Sequence, residues 1–237
     1  MSRARPPHIQ AANSAWTFDD IAGEFDQHIE SSVPLYRQGH RLIAELAPFF
    51  LPQGGHVLEV GCSTGNLAVS LLQANAGRED IGYMGIDPVP TMVEKAQVKL
   101  ADDARASFQC VDLLAAELPA SNLVIAYYTM QFIPPNVRQQ AFDKLYSSLQ
   151  WGGALVLFEK VRAPDARFQD ITSQLYSDYK LDNGFSEQAI LNKSRSLKGV
   201  LEPFSTQGNL DLLSRAGFVD VMSIAKWVSF EGFLAIK

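Results

Sequence analysis

The stretch VLEVGCSTG, from Val57 to Gly65, decides the fold. Together with His56 it opens with a short run of apolar and β-branched residues over 56–60, which is typical of a buried strand. The run stops at a cluster of small residues, and a helical pattern from about Asn66 to Ala74 follows. Small residues at such a turn let the backbone bend sharply and approach a ligand closely. The stretch therefore predicts a strand, a tight turn and a helix, with a ligand site at the turn.

Strands and helices continue to alternate on the C-terminal side of this stretch. Strand patterns are found over residues 83–86, 107–111, 122–126 and 154–158, and helical patterns lie at about 90–100 and 137–149. Such alternation predicts right-handed crossovers and a mainly parallel sheet that is covered on both faces.

The two ends of the chain add further elements. Amphipathic helical patterns occupy about 16–30 and the residues after Pro34, and residues 164–203 are helical, polar and rich in Tyr and Lys. A last helix over about 206–216 precedes two apolar runs, 221–228 and 233–236, which predict an antiparallel hairpin at the sheet edge. We therefore predict an α/β fold with seven strands. We expect residues 1–13 to be a disordered lead-in, and 14–237 to form one domain with a helical cap (14–50) and a helical insert (164–203).

Composition narrows the class of function. The chain has 237 residues and a net charge of -6, which argues against a nucleic-acid partner because such partners are held by clustered Lys and Arg. Two cysteines, Cys62 and Cys110, are expected to be reduced and buried, as in a cytoplasmic protein. No apolar stretch reaches the length of a membrane span, and the N-terminus lacks the apolar region of a secretory signal.

The four histidines predict no metal site. His8, His28, His40 and His56 lack a metal-binding spacing such as H-x-x-x-H. His28 and His40 lie in the N-terminal helical patterns, so either is a candidate base, although ordinary surface histidines are the simpler interpretation.

Three carboxylates lie at or near the carboxyl ends of the first three predicted strands. Asp87 ends the second predicted strand, about 20 residues beyond the turn, where a carboxylate suits ribose hydroxyls. Asp112 follows the third strand and suits the exocyclic amine of adenine. Glu59 lies two residues before Gly61, where its charge would repel a pyrophosphate but suit the ammonium and sulfonium groups of S-adenosylmethionine (SAM). The glycines also match G-x-G-x-x-G poorly, so we predict a class I SAM-dependent transferase rather than a dinucleotide enzyme.

Further stretches carry a resemblance to a more specific family. They are Phe25-Asp26, 32–36 (SVPLY), 61–63 (GCS), 129–132 (TMQF), 152–157 (GGALVL) with Glu159-Lys160, 183–187 (NGFSE) and 194–196 (SRS). On these residues the chain resembles the carboxy-S-adenosylmethionine (carboxy-SAM) synthases, a branch of the class I SAM methyltransferases formerly described as tRNA uridine methyltransferases. The resemblance runs from about residue 18 to the C-terminus and includes the insert.

The resemblance implies an activity and a set of contacts. In that family a SAM-derived sulfonium is deprotonated and carboxylated with prephenate as the carboxyl source. The family's ligand contacts fall on Tyr36, on 61–63, on Asp87 and on Asp112-Leu113. An arginine that the neighbouring subunit supplies to the added carboxylate falls on Arg195, which implies a homodimer built through the insert; a guanidinium matches a carboxylate bidentately.

Two residues depart from the family's pattern. Pro88 and Tyr127 stand where the family has Asn, and an amide lost beside the reactive centre removes a donor and an acceptor. Three hypotheses follow. The first is a methyltransferase for a small, planar acceptor, which the aromatic residues suit. The second is carboxy-SAM synthesis. The third is a SAM-binding regulator without catalysis.

The predicted site therefore combines a nucleotide set with a catalytic set. The catalytic candidates are Tyr127, Arg195 and Tyr36. The predicted nucleotide-binding residues are Tyr36, Glu59, Gly61, Cys62, Ser63, Gly65, Asp87, Pro88, Asp112, Leu113 and Tyr127. We expect SAM or carboxy-SAM as the bound nucleotide, a small-molecule second substrate, no metal, no direct nucleic-acid contact and no membrane contact.

Overall fold

A seven-stranded sheet forms the centre of the protein. The structure is a computed structural model and describes residues 25–237. Its strands are β1 (His56–Val60), β2 (Gly82–Asp87), β3 (Ala106–Cys110), β4 (Ser121–Tyr127), β5 (Leu149–Lys160), β6 (Asp220–Trp227) and β7 (Phe230–Ile236). They lie in the order β3-β2-β1-β4-β5-β7-β6. Neighbouring strands among β1 to β5 pair in parallel, and β7 pairs antiparallel with both β5 and β6. The predicted mainly parallel sheet with a C-terminal edge hairpin is confirmed.

Helices connect and cover the strands. Counted from Phe25, they are α1 (Phe25–Ser32), α2 (Tyr36–Phe50), α3 (Asn66–Ala74), α4 (Pro90–Lys99), α5 (Pro135–Ser148), α6 (Ala166–Asp182), α7 (Glu187–Ser196) and α8 (Thr206–Ala216), with a 3-10 turn at Met130–Phe132. Capping residues mark the ends of several helices. The Ser205 side chain accepts a hydrogen bond from the amide of Gly208 at the start of α8, and Gly217 ends that helix at φ 118°.

The sheet has a hydrophobic core on each face. Alternate residues of the central strands enter opposite cores, so Ile125 and Val156 pack on one side while Val124 and Leu155 pack on the other. All four side chains are fully buried. Burial on both faces explains why β4 and β5 are continuous apolar runs, as parallel strands between two helical layers require.

The strand order places a crevice beside β1. The chain moves outward through β2 and β3, then returns to the other side of β1 to form β4. Ligands of open α/β sheets bind at the carboxyl ends of the strands where the order reverses in this way. The turn from Gly61 to Gly65 lies at that point, between β1 and α3.

The structure corrects several details. Cys110 is exposed, not buried, because β3 is an edge strand with only Phe108 turned into the core. His40 is buried rather than on the surface, because it lies on the face of α2 that packs toward β4. The lead-in over 1–13, His8 and the first part of the predicted helix over 16–30 lie outside the described residues. No helix within 25–237 combines the length and apolar character needed to cross a bilayer.

Candidate active site

The turn after β1 adopts backbone conformations that need small residues. Gly61 and Gly65 have φ of 74° and 79°, and Ser63 between them has φ of 49°. A Cβ on Gly61 would overlap Oγ1 of Thr129, and one on Gly65 would lie 3.1 Å from the Cβ of Ala96. The turn is therefore packed against the segment after β4 on one side and against α4 on the other.

Asp87 joins the turn to the end of β2. Its Oδ2 accepts a hydrogen bond from the amide of Ser63 at 3.0 Å, and its Oδ1 accepts one from the amide of Val89 at 3.0 Å. Burial raises the pKa of this carboxyl, and the two amides act in the opposite direction. Each carboxylate oxygen has a second lone pair, so Asp87 retains the capacity to accept hydrogen bonds from a ribose.

Glu59 is a buried carboxyl beneath the turn. The hydroxyl of Tyr83 donates a hydrogen bond to its Oε2. Burial raises the pKa of Glu59 to about 8; the Tyr83 hydrogen bond opposes this, and the charge of Asp87 adds to it. At neutral pH the group is therefore mostly protonated in the free protein, and a cation bound nearby would favour its ionised form.

This arrangement predicts proton release on SAM binding. A cationic ligand lowers the pKa of Glu59, so at pH 7 binding should release up to about one proton per site. Affinity for SAM should consequently rise with pH up to about 8, where Glu59 ionises in the free protein, and level off above it. Calorimetry in buffers of different ionisation enthalpy measures the released proton. The Glu59→Gln variant keeps an acceptor for Tyr83 but has no proton to lose, so release that persists there would refute the assignment.

A cavity of about 160 Å³ opens beside the turn at the carboxyl ends of β1 and β2. Its walls are mainly apolar, and Gly61, Pro88, Asp112 and Leu113 are among them. Asp112 is exposed, and its Oδ1 accepts a hydrogen bond from the amide of Leu114. An apolar slot with one carboxylate at its rim fits the faces and the exocyclic amine of an adenine ring.

Aromatic rings form the other side of the site. The Tyr127 ring, at the end of β4, lies 5.4 Å from the Tyr36 ring and 4.9 Å from the His40 ring, centroid to centroid. Phe158 of β5 lies 5.0 Å from it. The Tyr127 hydroxyl donates a hydrogen bond to the backbone oxygen of Tyr36 at 2.7 Å, and burial raises the pKa of both phenols. Tyr127 thereby fixes the start of α2 against the sheet.

His40 is neutral in this setting. Burial lowers its pKa to about 4, and the charge of Arg37 contributes. Its Nε2 is buried and has no hydrogen-bond partner among residues 25–237. The centroid of its ring lies 4.4 Å from that of the Tyr36 ring, and the two ring planes are tilted by 54°.

A polar network holds α1 over the glycine turn. Asp26 accepts a hydrogen bond from the Thr64 hydroxyl and pairs with the Lys99 ammonium at 3.2 Å. Burial raises the pKa of Asp26, but these partners outweigh it and the net shift is downward. Helix α1 is therefore connected directly to the turn.

The structure brings the predicted nucleotide residues together and leaves one catalytic candidate apart. The predicted residues from Glu59 to Leu113 surround the turn and the cavity, and Tyr36 and Tyr127 lie in the aromatic cluster. Arg195 is exposed on α7 and has no ion pair with a described residue. Within residues 25–237 no group of three or more His, Cys, Asp or Glu is arranged to hold a metal ion.

Sequence reasoning missed four residues of the site. They are Tyr83, Thr129, Asp26 and Lys160, which contact or flank it. Asp26, Thr129 and Lys160 stand inside stretches that carried the resemblance, and Tyr83 is the first residue of the predicted second strand. Their partners are distant in sequence: Glu59 is 24 positions from Tyr83, and Thr64 is 38 positions from Asp26. No periodic signal reports such pairs.

Comparisons with known proteins show the family of the chain. The family described as a methyltransferase domain matches residues 57–153. The carboxy-S-adenosyl-L-methionine synthase of Campylobacter jejuni is 37% identical over 230 residues, which cover 96% of this chain and 97% of that protein. The synthase of Campylobacter lari is 34% identical over 92% of each chain, and that of Staphylococcus epidermidis is 33% identical over 94% and 97%.

Solved structures share the fold at low sequence identity. A putative O-methyltransferase from Nostoc punctiforme superposes with a TM-score of 0.65 at 15% identity, over 97% of this chain and 66% of that one. Human N-acetylserotonin methyltransferase, solved in complex with SAM, gives 0.55 at 18% identity over 97% and 65%. These likenesses show a class I SAM methyltransferase fold.

Proposed function

This chain belongs to the carboxy-S-adenosyl-L-methionine synthase family, and from that premise we propose that it converts SAM and prephenate to carboxy-SAM. As a member of this family with a methyltransferase fold, it is a SAM-dependent transferase.

One observation carries the proposal. The general methyltransferase domain accounts for residues 57–153, whereas similarity to the synthases extends over more than nine-tenths of both chains. The additional similarity therefore includes much of what lies outside the common nucleotide-binding core, including α1, α2 and the insert helices α6 and α7. A methyltransferase for an unrelated acceptor would need to share only the core.

The residues at the strand ends fit SAM. Asp87 accepts the ribose hydroxyls, Asp112 and the apolar cavity take the adenine, and Glu59 lies beneath the turn in a position to balance positive charge. Because Gly61 has no Cβ, its backbone can come close to the ligand. Thr64 is buried and hydrogen-bonded to Asp26, so α1 closes over this side of the site.

The chemistry also balances with these two substrates. A C–H bond of the sulfonium methyl group breaks, a C–C bond to the carboxyl carbon forms, and prephenate loses that carboxyl and its ring hydroxyl to become the aromatic keto acid phenylpyruvate, with water as the remaining product. The chain's part is to position and to exclude water. The half-buried ring of Tyr36 and the buried ring of Tyr127 suit a sulfonium because the faces of aromatic rings attract cations.

We place Arg195 in the site of a second subunit. Helix α6 buries none of its residues in this chain, and Phe168, Ile171 and Leu175 form an apolar face that is about half exposed. Their spacing puts them on one side of the helix. If that face packs on a second copy, the adjoining α7 carries Arg195 toward the partner's site, where its guanidinium can pair with the carboxylate of carboxy-SAM.

Methyl transfer to a planar acceptor remains the second candidate. The observation that favours it is Tyr127, which adds a ring where the family has an amide and enlarges the aromatic cluster. The Tyr127 hydroxyl already donates to the backbone of α2, so its ring serves as a wall of the site, and it remains a candidate rather than an identified catalytic group.

The experiment is turnover of SAM and prephenate, with the products identified by mass. We expect carboxy-SAM and phenylpyruvate in equal amounts. The Arg195→Ala variant should weaken binding of carboxy-SAM by about 10- to 100-fold, the value of a charge-assisted bidentate pair, and that of SAM by much less. Equal losses for both ligands would remove this role from Arg195. Release of methyl groups to an acceptor without carboxy-SAM would instead support the second candidate.

A further inference from the structure

Two lysine ammonium groups lie over one tyrosine ring beside the active site. The Nζ of Lys160 is 4.1 Å from the centroid of the Tyr176 ring, and the Nζ of Lys180 is 4.4 Å from the same centroid. Within the part of the chain that the structure describes, neither ammonium has an ion pair or a hydrogen-bond acceptor. Each carries three N–H donors, so both can bind an anionic acceptor.

Positive charges surround Lys160. Burial lowers its pKa to about 8, and the charges of Lys180, Lys198 and Arg162 add to that effect. Burial also lowers the pKa of Lys180. The three charges that act most strongly on Lys160 are all positive. Like charges repel strongly where water is partly excluded, so a bound anion would stabilise this arrangement.

The lysines are placed on the second-substrate side of the site. Lys160 ends β5, two residues after Phe158, so both side chains leave the same face of the sheet. Phe158 is paired with Tyr127 across the strands, and their rings are 5.0 Å apart. The rings of Tyr127 and Phe158 form an aromatic wall of the site. Lys160 lies further along β5 than this wall, on the side away from the nucleotide turn.

Tyr176 fixes the insert against this edge. Its hydroxyl donates a hydrogen bond to the backbone oxygen of Ser32 at 3.0 Å, and its ring lies 5.2 Å from that of Phe230, the β7 residue paired with Lys160. The two lysines thus come from the sheet and from the insert, and the same tyrosine joins both to the end of α1.

We propose that Lys160 and Lys180 form a carboxylate-binding subsite for the second substrate, a small molecule with two carboxylates. The identity of that molecule as prephenate rests on the proposed function; the subsite itself rests on the two ammonium groups. They hold the substrate's carboxylates beside the aromatic wall and leave the nucleotide to the glycine turn and Asp87. Affinity for the acid and affinity for SAM are therefore set by different residues.

The test is equilibrium binding of prephenate to protein saturated with S-adenosylhomocysteine, which prevents turnover. Lys160→Met and Lys180→Met keep the length of the side chain and remove the charge, and each should weaken prephenate binding at least about tenfold. SAM affinity should stay within about twofold of the wild type in both, which also shows that they fold. Arg41→Met is the matched control, because it removes one charge from a side chain that is 81% exposed and should change neither affinity.

Prephenate affinity that stays within about twofold in both lysine variants would overturn the subsite. So would a wild-type protein that binds none of prephenate, phenylpyruvate, malonate and citrate. The subsite and the proposed function fail separately. Lysine-dependent binding of malonate or citrate without carboxy-SAM production keeps the subsite and rejects the function. Carboxy-SAM production with an unchanged kcat/KM for prephenate in both variants keeps the function and rejects the subsite.

Discussion

Replacing Asp87 with alanine is expected to raise the dissociation constant for SAM at least about 100-fold. The carboxylate is buried, it anchors the glycine turn through the amide of Ser63, and it is the group placed to accept the ribose hydroxyls. Hydrogen bonds to a charged group contribute about 1.5–3 kcal/mol each, so two lost ribose contacts account for this change. Isothermal titration with SAM measures it directly.

Two variants separate binding from stability. Asp87→Asn keeps an acceptor oxygen and should lose less affinity than the alanine variant. Asp165→Ala removes another aspartate that accepts a backbone amide, at the start of α6, where losing the cap should lower the free energy of unfolding by about 1 kcal/mol without changing SAM affinity. If Asp87→Ala binds SAM as well as Asp165→Ala does, the ribose role of Asp87 is wrong.

Replacing Gly61 with alanine is expected to lower the free energy of unfolding by about 2–4 kcal/mol and to weaken SAM binding as well. The new Cβ would lie within 3 Å of three atoms of Thr129, so a rotation of that side chain cannot relieve the overlap. The residue would also keep a φ of 74°, which costs an L-residue about 1–2 kcal/mol. Denaturant unfolding and SAM titration measure the two effects.

Gly54→Ala provides the matched control for this prediction. Gly54 has a φ of 69°, but no atom lies within 4 Å of the position that a Cβ would take. It should therefore show only the backbone cost, about 1 kcal/mol, and unchanged SAM affinity. Equal destabilisation by the two substitutions would show that the contact between the turn and Thr129 contributes nothing. In the Gly61→Ala background, Thr129→Ala should recover part of the loss.

Elements with chemical markers at their ends could be predicted from the sequence. The bounds of β1 and α3 follow from the apolar run, the glycine turn and the change of period, and α8 is marked by Ser205 and Gly217. The nucleotide site could be predicted for the same reason. Its residues stand at fixed positions after successive strands, and parallel strands bring their carboxyl ends to one edge of the sheet.

Strand limits that depend on distant pairing could not be predicted as well. The strand predicted over 154–158 extends over Leu149–Lys160, because its ends pair with Ser121 and Phe230. The strands of the final hairpin are also displaced from the predicted 221–228 and 233–236. Its turn contains Val228 at φ 48°, and a β-branched residue gives no turn signal.

The burial of individual polar side chains also could not be predicted from the sequence. Periodicity placed His40 on an amphipathic helix, but its burial depends on Tyr36 and Tyr127, which reach it from a helix start and a strand end. Lys160 appeared only as the last residue of a matching stretch. The sequence does not indicate that its ammonium group lies near other positive charges. That follows from the fold, which places Lys160 and Lys180, twenty positions apart, over the ring of Tyr176.

The most direct test of carboxy-SAM synthesis is the mass of the nucleotide that remains bound to the purified protein, released by mild denaturation and compared with standards. We expect carboxy-SAM, because the site would retain a product whose carboxylate pairs with Arg195. Recovery of SAM or S-adenosylhomocysteine alone, from protein prepared in cells that make prephenate, would contradict carboxy-SAM synthesis and direct attention to methyl transfer.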